Sequence, residues 1–149
     1  MKIDTFRGEY YFLSNFYEIP VIFDGITYQN NEAVFQAQKC SVYNDRKQFS
    51  FLNASEAKKL GRKVSLRPDW EEVKIGIMRE IVREKFEQHP KLAEKLLATG
   101  DSYLEEGNTW GDRVWGTVNG QGANNLGRIL MEIREELKEK ELQKENERE

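Results

Sequence analysis

Residues 28–40 read YQNNEAVFQAQKC, and the reading of this stretch decides the fold. A helix that starts at Asn30 or Asn31 puts Glu32, Gln36 and Lys39 at i, i+4 and i+7, on one face. Asparagine is a good N-cap, and a glutamate in the first turn suits the positive end of the helix dipole. The plainest reading of Glu32 is therefore a capping-turn carboxylate on a solvated face. Ala33, Val34, Phe35 and Ala37 argue instead for a helix that is largely buried. Gln36 and Gln38 would then need hydrogen-bond partners. The polar face either meets water or lines a cleft, and helix geometry leaves both open.

Upstream, residues 6–35 hold 9 of the 17 aromatic residues, so a sheet belongs there. EYYFLSNF and PVIFDGITY are predicted strands, and Asp24-Gly25 is a strong hairpin turn. Ser14 and Asn15 are polar residues inside the first of these runs, which marks a bulge, a turn or a ligand-facing pair. Downstream the pattern is helical. Asn53 and Glu56 form a capping box with Gly61 at the far end of the helix. Pro68, Asp69 and Glu72 open a long helix with an apolar stripe of Val73, Ile77, Met78, Ile81, Val82 and Phe86. KLAEKLLATG is a shorter helix stopped at Gly100, SYLEE is a predicted strand, and Leu126–Leu137 mark a last helix. The expected fold is α+β: a single domain over residues 1–137, with a small aromatic-rich β-sheet packed among several α-helices. Residues 138–149 are almost all charged and are expected to form a frayed helical tail.

Composition excludes several classes of function. The chain has 149 residues, 38% hydrophobic and 33% charged, which suits a single soluble domain with a real core. No run approaches the ~20 apolar residues of a membrane span, and the N-terminus has no apolar signal segment. One cysteine, Cys40, rules out an internal disulfide, and a cytoplasmic location fits. A net charge of −3 argues against a nonspecific grip on nucleic acid over the whole surface. The single histidine, His89, precedes Pro90 as a helix cap or turn would. Zinc sites built on several His or Cys ligands are excluded, and no metal or cofactor is expected. Acid–base chemistry here falls to carboxylates, lysine or tyrosine.

The zone NTWGDRVWGTVNGQGANNLG (108–127) resists two familiar motifs. It has the outer spacing of a phosphate-binding P-loop but lacks the Lys-Ser/Thr pair, and it is not G-x-G-x-x-G. Trp110, Trp115 and Leu126 make it too apolar for a free linker. A glycine loop ordered by tryptophans and leading into a helix is a natural place for an anionic oxygen ligand. Asn119, Asn124 and Asn125 could add amide donors and acceptors.

Seven pieces now stand in one order: FLSNFY (12–17), NEAVFQAQKC (31–40), AKKLGR (57–62), the RPDW–M–KF pattern (67–86), LLATGDSYL (96–104), DRVWG (112–116) and GANNLGRILMEIR (122–134). Together they resemble the YbiA-like family, also called the NADAR family after NAD and ADP-ribose. The family's usual helix motif is E-H-x-x-Q-A-Q-K, and here Ala33 replaces the histidine. The resemblance implies N-glycosidase chemistry, cleavage of the C–N bond between a ribosyl group and a base. One branch is associated with phosphoribosylamino-pyrimidine intermediates of riboflavin synthesis. Others are linked to ADP-ribose, including its removal from modified guanine in nucleic acid.

The positions carried over from the family are Glu32, Trp70, Asp112 and Trp115, with Lys39, Gly116, Asn124 and Gly127 on its motifs. Breaking a ribosyl C–N bond builds positive charge at C1′ and the ring oxygen, which a carboxylate stabilises. A second group must protonate the departing nitrogen. Glu32 and Asp112 on opposite sides of a cleft would serve, with Glu32 as base or electrostatic stabiliser and Asp112 as proton donor or ribose ligand. Lys39 would tune Glu32, bind phosphate or form a Schiff base with an opened ribose. Trp70 and Trp115 would stack a base or close the pocket, unless they are ordinary core tryptophans. Asp112 reads equally as a turn aspartate. Arg7 is one of several basic candidates for phosphate. Three classes remain: a glycosidase acting on a small phosphoribosyl or ADP-ribosyl molecule, a hydrolase acting on ADP-ribosylated nucleic acid or protein, and a non-catalytic ADP-ribose binder.

Overall fold

The computed structural model describes residues 1–148. Along the chain come β1 (Lys2–Ile3), a 3₁₀ turn over Gly8–Leu13, β2 (Glu18–Phe23) and β3 (Ile26–Asn30). There follow α1 (Asn31–Ala37), α2 (Tyr43–Arg46), α3 (Ala54–Gly61), α4 (Trp70–Gln88) and α5 (Pro90–Ala98). β4 (Tyr103–Leu104) and α6 (Asn125–Arg148) complete the order. The fold is α+β, with small sheets among helices. Its contacts form two compact units: one from Ser14–Gln88, the other from Met1–Leu13 with the chain from His89 onward.

In the Ser14–Gln88 unit the expected hairpin forms. Asp24 and Gly25 take φ of 49° and 80°, the left-handed pair that a tight two-residue turn needs. β2 and β3 pair antiparallel, with Val21 opposite Tyr28 and Phe23 opposite Ile26. Ile26, Tyr28 and Asn30 point inward on β3, and α1 starts at the next residue. Asn30 caps it by accepting the Ala33 amide at 2.7 Å. Every residue of α1 is buried, and α3 and α4 pack on it. α3 begins with the capping box read from Asn53 and Glu56. The edge strand β2 is fixed to α4 by Gln88, whose amide accepts from Ile22 N (2.8 Å) and donates to Ile22 O (2.7 Å).

The other unit is built on α5 and α6, with β1 and β4 as a short parallel pair. Its core includes Phe6, Phe12, Leu92, Leu96, Leu104, Leu126, Ile129 and Ile133. Gly100, at φ 61°, ends the α5 segment as expected.

Two expectations need correcting. EYYFL is a 3₁₀ turn rather than a strand, because Gly8, at φ 59°, and the turn at Ser14 bracket it. Phe12 and Leu13 are both buried, so the segment lacks the alternation a half-buried strand requires. The strands also form two separate pairs rather than one sheet. At the other end, α6 continues as far as Arg148, with every described residue from Lys138 onward exposed. Leu142 is the sole large apolar side chain there and is 53% exposed. We propose that deleting 138–149 leaves both melting temperature and activity nearly unchanged, since so little surface is buried. A concentration-dependent loss of melting temperature, or a smaller mass by light scattering, would show instead that the segment packs on a second subunit.

Candidate active site

The residues singled out in the sequence fall in both units. Ser14, Asn15, Glu32, Lys39 and Trp70 belong to the Ser14–Gln88 unit, all tied to α1 or its supports. Arg7, Asp112, Trp115, Gly116, Asn124 and Gly127 belong to the other.

Glu32 lies in the first turn of α1 and is only 8% exposed. The solvated-face reading therefore gives way to a buried carboxylate. One helical turn on, Gln36 donates from Nε2 to Glu32 Oε1 at 3.3 Å. Gln38 satisfies itself on the Val34 carbonyl at 3.1 Å. Lys39 follows just beyond α1, half-buried, with Nζ 3.4 Å from the Gly61 carbonyl. Burial pulls the Lys39 pKa below its ordinary value, while the Glu32 carboxylate pushes the other way. That opposition places Glu32 and Lys39 within electrostatic reach of one another. Trp70 is buried and tilts against Phe35 of α1, with ring centroids 5.0 Å apart, so it also serves the core.

Three buried amide atoms on α1 find no hydrogen-bond partner among the described residues: Asn31 Oδ1, Asn31 Nδ2 and Gln36 Oε1. Burying such atoms unpaired is costly, so they mark places where water or a ligand supplies the missing bond. Gly61 of α3 lies close against Gln36, and a Cβ there would overlap Oε1. The sequence reading treated Asn31 only as a possible cap; its neighbour Asn30 takes that role. The helical period was the available signal, since it sets residue 31 with Phe35 and Gln38 on the inner side.

Lys85 was missed as well. It is 1% exposed, and burial pushes its pKa down to about 7. Its position seven residues after Met78 puts it on the apolar stripe, which was the legible clue. An unfolded lysine keeps its proton to about pH 10. Between about 7 and 10 the unfolded chain therefore binds more protons, so Lys85 makes stability rise with pH across that window. Lys85→Met removes this dependence. Its melting temperature relative to wild type should be highest near pH 7 and the gain should shrink toward pH 10; a flat difference in thermal melts contradicts a titrating Lys85.

In the other unit the glycine-rich loop is tightly tied. Asp112 Oδ1 accepts from the amides of Val114 (3.0 Å) and Trp115 (2.9 Å), so the turn-aspartate reading holds. Asn108 crosses the loop, donating to the carbonyls of Asp112 (2.8 Å) and Thr117 (3.1 Å). Asn124, at φ 51° and 2% exposed, accepts from Glu106 N at 3.0 Å and donates to Leu104 O at 2.9 Å. Its side-chain amide is thus used within the unit rather than held out as a donor. Gly116 and Gly127 are buried where a Cβ would overlap the carbonyls of Glu106 and Leu104, respectively. Close packing accounts for both glycines. Trp115 is half-buried and Arg7 is exposed. Glu105, not singled out in the sequence, is buried and bonds to Thr117 Oγ1 and Lys2 Nζ, which hold its pKa below the usual carboxylate range.

Among the described residues no helix is long and apolar enough to cross a membrane.

The sequence pattern of the NADAR domain matches residues 4–138. The N-glycosidase YbiA of Escherichia coli is 42% identical over 128 residues, covering 83% of this chain and 79% of that protein. The N-glycosidase Npun_R5314 of Nostoc punctiforme is 42% identical over 114 residues, 72% of each chain. The riboflavin biosynthesis protein VVA0006 of Vibrio vulnificus is 42% identical over 132 residues; the match takes in 86% of this chain but only 36% of that longer protein. In structure, the NMR fold of E. coli YbiA superposes with a TM-score of 0.83 at 38% identity, over 95% of this chain and 86% of that one. A domain match over most of the chain, sustained identity and a shared fold agree: the chain belongs to the NADAR domain family and groups within it with the YbiA-type N-glycosidases.

Proposed function

We propose that the protein hydrolyses the C1′–N bond between a phosphorylated ribosyl group and a base, with Glu32 as the reactive carboxylate. The observation that carries this reading is the buried Glu32 on α1, held by Gln36 and electrostatically coupled to Lys39. As the C–N bond lengthens, charge develops at C1′ and the ring oxygen, and a buried anion stabilises it more strongly than a solvated one. Water then bonds to C1′, and its proton balance is completed on the leaving nitrogen. Glu32 suits the activation of that water. The unpartnered atoms Asn31 Oδ1, Asn31 Nδ2 and Gln36 Oε1 suit the hydroxyl-rich, amide-bearing groups of such a substrate.

The riboflavin name of the Vibrio relative favours a free phosphoribosylamino-pyrimidine over an ADP-ribosylated nucleic acid as substrate. A buried carboxylate argues for catalysis over simple ADP-ribose binding, because a pure binder gains nothing from a negative charge beside an anionic ligand. Incubating the protein with a panel of ribosylated bases, followed by mass spectrometry, tests both choices. Release of base from the phosphoribosylamino-pyrimidine supports the reading. Release only from ADP-ribosylated guanine in an oligonucleotide overturns the substrate class, and binding of ADP-ribose without any release overturns the reaction. Because carboxylates and lysine carry the chemistry, activity should survive EDTA. A loss restored by added Mg²⁺ or Zn²⁺ would mean the carboxylates act as metal ligands.

A further inference from the structure

The first turn of a helix leaves amide hydrogens with no partner inside the helix. In α1, Asn30 Oδ1 takes the one from Ala33. The amide of Glu32 itself leaves the helix and bonds to the Asn15 carbonyl at 3.0 Å. Asn15 lies in a turn closed by Tyr17 N on Ser14 O at 3.2 Å and by Phe16 N on Ser14 Oγ at 3.1 Å.

That turn is held from α4 at two points. Lys85 Nζ donates to the Ser14 carbonyl at 3.1 Å, and Asn15 Nδ2 reaches Met78 Sδ at 3.5 Å. Lys85 and Met78 are seven residues apart, so they project from one face of α4. The Lys85 ammonium also lies 5.6 Å from the centre of the Tyr17 ring. Burying a lysine costs more than burying a methionine of similar length at the same place. What the lysine adds is a nitrogen that reaches the Ser14 carbonyl.

We propose that Lys85 is a positioning residue for Glu32, acting through the Ser14–Tyr17 turn and the Asn15 carbonyl to fix where the carboxylate stands. The inference rests on the reading of Glu32 as the reactive carboxylate. It separates stability from catalysis. Lys85→Met keeps the packed stem and removes the donor, so the protein should fold at least as well as wild type while Glu32 loses its anchor.

Amide hydrogen exchange at Glu32, read by NMR on the free protein, needs no substrate. At pH 7 the Lys85→Met variant should exchange at Glu32 about 10-fold faster, with Ile133 of α6 exchanging no faster than in wild type. On a phosphoribosylamino-pyrimidine, kcat should fall about 10-fold with KM within about threefold, the pattern of a misplaced catalytic group. Unchanged exchange at Glu32 overturns the proposal. So does faster exchange with unchanged kcat, when Glu32→Gln is inactive. If Glu32→Gln is itself active, the reading of Glu32 fails first and the proposal falls with it. Should Lys85→Met not fold, Met78→Leu carries the test, since it removes the acceptor for Asn15 at nearly constant volume. Faster Glu32 exchange in that variant supports the proposal, and unchanged exchange overturns it.

Discussion

Glu32→Gln should lower turnover by at least ~10²-fold, the usual cost of removing a group that stabilises developing charge. The substitution keeps the size of the side chain and an oxygen able to accept from Gln36 Nε2. Glutamine is neutral, so it also relieves the burial of a charge on α1. The melting temperature should therefore hold or rise while kcat collapses. Lys39 supplies an internal check. The Glu32 carboxylate holds the Lys39 pKa up against the effect of burial, so in the variant that pKa should fall further and Lys39 should react faster with amine reagents near neutral pH. Turnover within a few-fold of wild type would remove Glu32 from the reaction.

The second large effect is on stability. Asn124→Ala takes away the acceptor for Glu106 N and the donor to Leu104 O, both in the packed segment that begins at β4. Each buried backbone group left unsatisfied costs about 1–3 kcal/mol. Alanine also tolerates the left-handed backbone at this position, φ 51°, less well than asparagine does. A loss of about 3 kcal/mol is expected, which for a chain of this length lowers the melting temperature by about 6–12 °C. Asn125→Ala removes one bond, from Nδ2 to the Val114 carbonyl, and should cost about 1 kcal/mol. Equal melting temperatures for the two variants, measured by calorimetry, would show that Asn124 does not fasten the loop.

The legible parts of this protein are those where one local rule acts alone. Asp24-Gly25 fits a turn that demands two left-handed residues. Asn53 with Glu56 fits a reciprocal cap, and the α1 register puts Glu32 and Gln36 on one face, with Lys39 just beyond the end of the helix. The 3₁₀ turn at Gly8–Leu13 was hidden because Tyr10, Tyr11 and Phe12 have strong strand preference while their packing demands two consecutive buried residues. Lys85 was hidden by its type. A lysine on an apolar stripe reads as a surface interruption until its partner, the Ser14 carbonyl 71 residues away, is known. Asn124 shows the opposite error. Its place in a glycine-rich loop suggested an open donor, but the bonds that consume it come from Leu104 and Glu106, whose approach no local pattern announces.

The most direct test of the central claim is hydrolysis of a phosphoribosylamino-pyrimidine in H₂¹⁸O, with the products weighed by mass spectrometry. Attack of water at C1′ predicts ribose phosphate carrying one ¹⁸O and an aminopyrimidine carrying none, with both products forming at least ~10²-fold more slowly for Glu32→Gln. Label appearing in the base, or intact substrate after prolonged incubation with active protein, would contradict it.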